Sequence, residues 1–162
     1  MHTKLLKWNS DAHSDMALSD FIPREGQQRV VAAIVAAEKR TSGEIRVHIE
    51  PRCKQGDPYQ RAVEVFNELK MYETRQRNGV LVYVAYRSHV FAIIGDSGIN
   101  ERVGSDFWNK EKETLARYLR QGDAVGGLCE VIGQIGDSLS AYFPWTNDDV
   151  NEQSDEISYK ED

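Results

Sequence analysis

The sequence predicts an α/β fold, a three-layer α/β/α sandwich around a small mixed β-sheet, Rossmann-like in its layering. Three observations predict it. The segment "EIRVHIE" alternates apolar and polar residues, whereas "GVLVYVAY" is apolar on both faces. The first reads as a half-exposed strand and the second as a central strand covered on both sides. A helix-periodic segment separates them, so the two strands run parallel through a crossover. After only "RSH" comes "VFAIIG", which leaves room for a hairpin, so the third strand runs back antiparallel.

Residues 1–18 are polar and mixed and are expected to be loosely ordered. "SDFIPREGQQRVVAAIVAAEKRTSGE" then reads as one helix, with Ser19 or Asp20 as its cap, Pro23 in its first turn, an apolar stripe of Val30, Val31, Ile34 and Val35, and Gly43 at its end. The strand Glu44 to Glu50 stops at Pro51. "DPYQRAVEVFNELKMYETR" is a second helix, capped by Asp57 and carrying Ala62, Val65, Phe66 and Leu69 on its apolar stripe. A third runs from about Asp106, with Ser105 as its cap, to Leu119 and ends at Gly122. The last, "AVGGLCEVIGQIGDSLSAYF", carries Gly126, Gly127, Gly133 and Gly136. Glycine weakens a helix, so these four are expected to permit close packing against the sheet. Residues 19–145 form the domain, and the acidic segment 146–162 has too few apolar residues to fold and is expected to be a disordered tail.

Composition narrows the function. A length of 162 residues suits one domain. The formal net charge of −6 argues against nucleic-acid binding, which needs a basic footprint. No apolar run approaches the roughly 18 residues of a membrane span, and "MHTKLLKWNSDAHSD" has no apolar signal core. A cytoplasmic location is expected, with Cys53 and Cys129 as reduced thiols. His2, His13, His48 and His89 are scattered, so no zinc site is indicated. His48, on the polar face of its strand, reads as a solvated or hydrogen-bonded residue.

The predicted topology also sorts the loops. One end of the sheet receives Arg40 to Glu44, Arg75 to Gly79, the end of the third strand at Asp96 and the start of the third helix. Glu44, Asn78, Asp96, Asn100, Glu101 and Asp106 are thereby brought toward one rim. Oxygen ligands that include several carboxylates suit a hard cation such as Ca²⁺, or Mg²⁺ with retained waters. A second reading stays open: Asp96-Ser97-Gly98 forms an Asx-type turn and Asp106 favours a helix N-terminus. The "GDSG" motif has no base tied to Ser97 and sits in an α/β chain, so it is not a protease nucleophile loop. Counting from Asp96, the twelfth residue is Phe107, so it is not an EF-hand. "GINERVG" lacks the Gly-Lys-Ser/Thr of a phosphate loop.

"TSGEIRVHIE", "AVEVFNELKM", "RNGVLVYVA", "IIGDSGINERVGSDFW" and "GDAVGGL", in this order and spacing, resemble the TPM domain family over about residues 20–145. The resemblance implies an α/β/α sandwich, divalent-cation binding in loops at one end of the sheet, and, for some members, phosphatase activity. Asn78-Gly79 matches the motif that opens the central strand. Gly95, Asp96, Gly98 and Asn100 match the glycine-rich segment that is usually closer to Gly-Tyr-Gly-Leu-Glu, with Asp96 in place of the aromatic residue and Asn100 in place of the glutamate. Asp106 matches the acid that follows. The expected function is a Ca²⁺- or Mg²⁺-binding module with a binding or regulatory role, its partners divalent cations and a protein. The alternative is a metal-dependent phosphatase, for which Arg40, Arg75, Arg77 and Arg102 would supply positive charge. No residue is marked as a nucleophile by its spacing, so no catalytic residue is assigned.

Overall fold

The computed structural model describes residues 7–8, 15–147 and 152–160. Its elements are α1 (Leu18–Phe21), α2 (Arg24–Glu38), β1 (Glu44–Glu50), α3 (Pro58–Glu68), β2 (Gly79–Ala85), β3 (Val90–Gly95), α4 (Ser97–Asn100), α5 (Asn109–Arg120), α6 (Ala124–Ser140) and β4 (Ser158–Tyr159). The four strands form one mixed sheet in the order β3-β2-β1-β4. β1 runs parallel to β2, with Glu44 opposite Gly79, and β2 runs antiparallel to β3, with Val80 opposite Gly95. No helix among the described residues is long and apolar enough to cross a membrane.

Two glycines mark the layers. A Cβ on Gly79 would meet Met71 and Phe66, and one on Gly43 would meet Leu139 of α6. α3 therefore covers the face that carries Leu81 and Tyr83. The other face lies under α6, which packs between α2 and α5. Every residue of β2 is buried, as expected of a central strand covered on both sides. Asp57 caps α3 by accepting from the N–H groups of Tyr59 and Gln60 at 3.0 and 3.3 Å.

Four expectations are corrected. The first helix is broken: Ile22 is extended and Pro23 is the N-cap of α2, not a first-turn residue. The chain ahead of a proline is forced out of helical geometry, so α1 is a separate turn. Likewise, α5 begins at Asn109 rather than Asp106, and a further turn, α4, precedes it. None of the four glycines of α6 packs on the sheet: a Cβ on Gly127 would lie 2.6 Å from Tyr118 Cβ and one on Gly136 2.9 Å from Ala37 Cβ, both on neighbouring helices, one on Gly126 would meet the Asp123 cap, and one on Gly133 would meet nothing within 4 Å. Finally, β1 is not half-exposed: six of its seven residues are buried and one is intermediate.

The last correction follows from the C-terminal segment, whose own order is a fifth correction. Ser158–Tyr159 pairs parallel with His48–Ile49, and the Lys160 N–H donates to the Ile49 carbonyl at 3.2 Å. Residues 152–160, expected to be disordered, thus form a strap along the outer edge of β1. At the opposite edge Lys7 bridges Val90 and Trp8 donates to the His89 carbonyl. Trp8 is buried beside Phe21 and Phe91. The rest of the expected loosely ordered and tail segments, residues 1–6, 9–14, 148–151 and 161–162, lies outside the described residues.

Gly98 tests the packing that positions the α4 turn. A Cβ there would overlap the Gln76 carbonyl and lie 2.6 Å from the Arg77 carbonyl oxygen, whereas nothing lies within 4 Å of one at Gly104. Gly98→Ala is expected to cost about 1–3 kcal/mol in urea denaturation, and Gly104→Ala to leave the midpoint unchanged or slightly raised.

Candidate functional site

The loops gather at the amino ends of β1 and β2 as the topology requires. The Glu44 N–H donates to the Asn78 carbonyl, the Asp96 N–H to the Gly79 carbonyl and the Gly98 N–H to the Arg77 carbonyl. Asp96 is the N-cap of α4 and accepts from the Ser97 N–H at 2.7 Å. Its two carboxylate oxygens also receive a two-pronged ion pair from Arg77, Nε to Oδ2 at 2.8 Å and Nη2 to Oδ1 at 3.1 Å. Arg77 has φ 50°, a left-handed conformation that turns its side chain back over Asp96. Asp96 makes no Asx turn, because its side chain accepts from the next residue, Ser97, while the Gly98 N–H goes to the Arg77 carbonyl; it is a helix cap, and Arg77 supplies a counter-charge the spacing did not reveal.

The six candidate ligands divide. Asp96, Asn100 and Glu101 share one turn, where Asn100 Nδ2 donates to the Gly95 carbonyl at 3.1 Å and Glu101 is the C-cap of α4. Asn78, 1% exposed, lies one residue before Gly79, with its N–H on Thr74 Oγ1 and its Nδ2 3.4 Å from Ser42 Oγ. Its Oδ1 is buried and accepts no hydrogen bond, an uncommon state for a buried oxygen. Glu44 points instead to the strap: its Oε1 accepts from the N–H groups of Glu152 and Gln153 at 3.0 and 2.9 Å. Asp106 is exposed in the turn before α5, where its charge acts on Lys112. Among the described residues no three His, Cys, Asp or Glu side chains are grouped to hold a metal ion.

A second polar cluster was missed. Glu50, 3% exposed, accepts from Arg61 Nε and Nη2, both at 2.9 Å, and from the Tyr83 hydroxyl at 2.6 Å. His48 Nε2 lies 3.0 Å from the same carboxylate, and His48 Nδ1 lies 3.0 Å from Ser158 Oγ in the strap. Burial opposes the charge on Glu50, but the bonds from His48, Arg61 and Tyr83 outweigh it and hold the carboxyl well below its usual range. The bond from Glu50 raises Arg61, and burial together with Glu50 raises Tyr83. His48 is thus a buried bridge between core and strap, the hydrogen-bonded form of what its pattern allowed. The available signal was an arginine on α3 just after the apolar start of that helix, with a glutamate closing β1.

A family model for the TPM domain matches residues 16–138. The chain belongs to the TPM domain family. An NMR structure of the BA42 protein from the psychrophilic bacterium Bizionia argentinensis is 42% identical, covers 89% of this chain and 99% of its own, and superposes with a TM-score of 0.83. The N-terminal domain of the cg2496 protein from Corynebacterium glutamicum, at 15% identity and a TM-score of 0.60, covers 85% of this chain and 92% of its own. That second likeness extends the fold alone. No curated protein matches the chain significantly.

The acids beside the strap make this TPM domain pH-sensitive. Burial, with a bond that protonated Glu38 donates to Asp155, pushes Glu38 up to about 10, while burial pushes Glu44 up to about 7 against the two strap N–H groups that favour its charge. Both folded-state values lie above the ordinary 4.5, so the folded chain keeps protons that the unfolded chain releases. Their contribution is complete below the ordinary value and is lost as pH rises through about 7 for Glu44 and toward about 10 for Glu38. Glu50 has the opposite sign and adds stability that is lost on acidification. Urea midpoints are expected to fall between mildly acidic and mildly alkaline pH. Glu38→Gln keeps an oxygen for the Ile45 N–H, which now donates to Glu38 Oε2 at 2.8 Å, and should flatten that fall. An unchanged slope in Glu38→Gln would remove Glu38 from the explanation.

Proposed function

We propose that this TPM domain is a binding module that takes a divalent cation, Ca²⁺ or Mg²⁺, at the rim formed by residues 76–79 and 95–101. The observation that carries the reading is the buried Asn78 Oδ1 with no donor, on a rim where a carboxylate already binds a positive charge. Hard cations take neutral and anionic oxygens together, and this rim offers Asn78 Oδ1, the Asp96 carboxylate and the exposed Glu101. Arg77, whose side chain is half exposed, holds the charge position at Asp96 and can swing away at little cost in burial. Glu44 and Asp106 stand outside this set, one committed to the strap and the other on a different turn.

The same contacts weaken a phosphatase reading. A metal-dependent phosphatase needs an activated water and cationic groups to clamp the phosphoryl oxygens. Arg40 is bound to Asp137, Arg75 lies 3.5 Å from Glu152, Arg77 holds Asp96, and Arg102 donates to the Tyr142 carbonyl. Turnover of phosphate esters is therefore expected to be near background.

A Ca²⁺ titration followed by amide shifts tests the proposal. Saturable shifts are expected at residues 76–79 and 95–101. Asp96→Asn should weaken binding by about tenfold or more, because hard-cation affinity follows ligand charge. Arg77→Gln, which removes the competing guanidinium, should tighten it. Shifts confined to residues 152–160, or an affinity indifferent to Asp96→Asn, would contradict the assignment. Turnover abolished by Asp96→Asn with the fold intact would favour the enzyme.

A further inference from the structure

The cation rim leaves one edge of the sheet unused. β3 is the outermost strand in the order β3-β2-β1-β4, and an unpaired strand edge is a template for a further extended chain. The Asp96 N–H donates inward, to Gly79 beside β2, whereas the carbonyls of His89 and Gly95 accept on the outer side, from Trp8 and Asn100. Backbone groups alternate sides along an antiparallel strand, so the N–H and carbonyl of Ile93 also point outward. Lys7 bridges Val90, and among the described residues no other segment pairs with this edge. The stretch Phe91 to Ile94 has neither a charge nor a proline, the usual devices that keep an edge from pairing.

A groove runs along the open stretch. It encloses about 730 Å³ over Ile93, Ile94 and Gly95. Its walls come from the two layers of the sandwich. Ile94 pairs with Leu81 and so faces the α3 layer, where residues 56–59 form one wall. Ile93 faces the other layer, where Val103, Gly104, Trp108 and Lys112 form the second. Trp108 is buried, whereas Tyr59 is exposed, so the second wall is the drier of the two. The lining has one acid, Asp57, and one base, Lys112, so charge selects neither a cation nor an anion. Walls on both sides exclude the broad edge of another sandwich but admit a single strand.

We propose that this groove binds an extended peptide segment of a partner protein, which adds to β3 as a further strand. Ile93 supplies a donor and an acceptor to the incoming backbone, and the Gly95 N–H supplies a second donor. Main-chain bonds of this kind give affinity, and alternate side chains give specificity. Successive residues of the segment face opposite walls. Apolar ones meet Val103 and Trp108, and polar ones lie beside Tyr59 toward solvent. The segment recognised is therefore one of alternating apolar and polar residues without proline. Lys7 shows that the edge accepts an extended chain, and the groove continues that line. The proposal needs no bound ion: the groove shares Gly95 and Asn100 with the cation rim, but none of the three residues offered there as ligands.

The test titrates the full chain with a capped hexapeptide of alternating valine and threonine and reads amide shifts and hydrogen exchange. Saturable shifts are expected at residues 93–95 and 103–108. With peptide at about ten times its dissociation constant, the Ile93 amide should exchange about tenfold more slowly, as mass action requires. The Ile94 amide, already bonded to β2, should keep its rate. The same peptide with proline in place of each valine lacks the donors that face β3 and should bind about tenfold or more weakly. A Cβ at Gly104 has nothing within 4 Å, so Gly104→Trp should keep the urea midpoint, fill the groove and weaken binding about tenfold or more, while Gly104→Ala binds as the parent does. Absence of saturable shifts, binding that leaves Ile93 exchange unchanged, or an unchanged affinity in a folded Gly104→Trp would overturn the proposal. So would an Ile93 amide already protected in the free chain: at every protein concentration it would assign the edge to the chain's own N-terminal residues, and with rising concentration to a second copy.

Discussion

One desolvated carboxylate organises this TPM domain. Glu50 closes β1 at a buried position, where an unpaired charge would cost several kcal/mol. Its partners come from three other parts of the chain: Arg61 from α3, Tyr83 from β2 and, through His48, Ser158 from the strap. Satisfying one charge therefore fixes the α3 layer against the sheet and selects where the C-terminal segment lies. The hydrophobic core supplies the bulk of the stability, but apolar packing alone would not choose between strap docked and strap free. The polar face of β1 makes that choice.

The same face explains why the two ends of the sheet differ. At the amino end, Glu44 accepts the strap's backbone N–H groups and Arg77 neutralises Asp96, while Asn78 Oδ1 accepts no hydrogen bond among the described residues. At the carboxyl end, Glu50 is saturated by His48, Tyr83 and Arg61, and Arg61 also binds Glu64 and Glu68. An oxygen-rich rim and a fully paired buried carboxylate thus sit at opposite ends of one short strand. The strap runs between them, anchored at Glu152–Gln153 and at Lys160. A change of charge at either end reaches the strap directly.

Much of the architecture was legible because it rests on local rules. The all-apolar β2, the alternating β1, the short hairpin to β3 and the Asp57 cap follow from periodicity and turn chemistry, and the layering follows from their order. The gathering of loops at one rim followed from topology. Less visible were features set by long-range polar contacts. The polar face of β1 suggested solvent, because alternation does not reveal a helix arginine or a returning tail. The strap has a two-residue strand and one buried apolar residue, Ile157, so no hydrophobic pattern announced it. Of the rim residues, Asp96, Asn100 and Glu101 fell in one turn. Glu44 was drawn away by backbone donors more than a hundred residues distant in the chain.

The most direct test of this account is hydrogen exchange at the Lys160 amide in Glu50→Gln, read alongside urea denaturation. The substitution preserves shape while stripping Arg61 of its buried counter-charge. The account predicts a stability loss of about 3–5 kcal/mol, the usual cost of breaking a buried ion pair. It also predicts that the Lys160 amide loses its protection more completely than amides in β2. Protection at Lys160 equal to that of the parent chain, with an unchanged urea midpoint, would show that the strap and the α3 layer hold their places without the Glu50 charge.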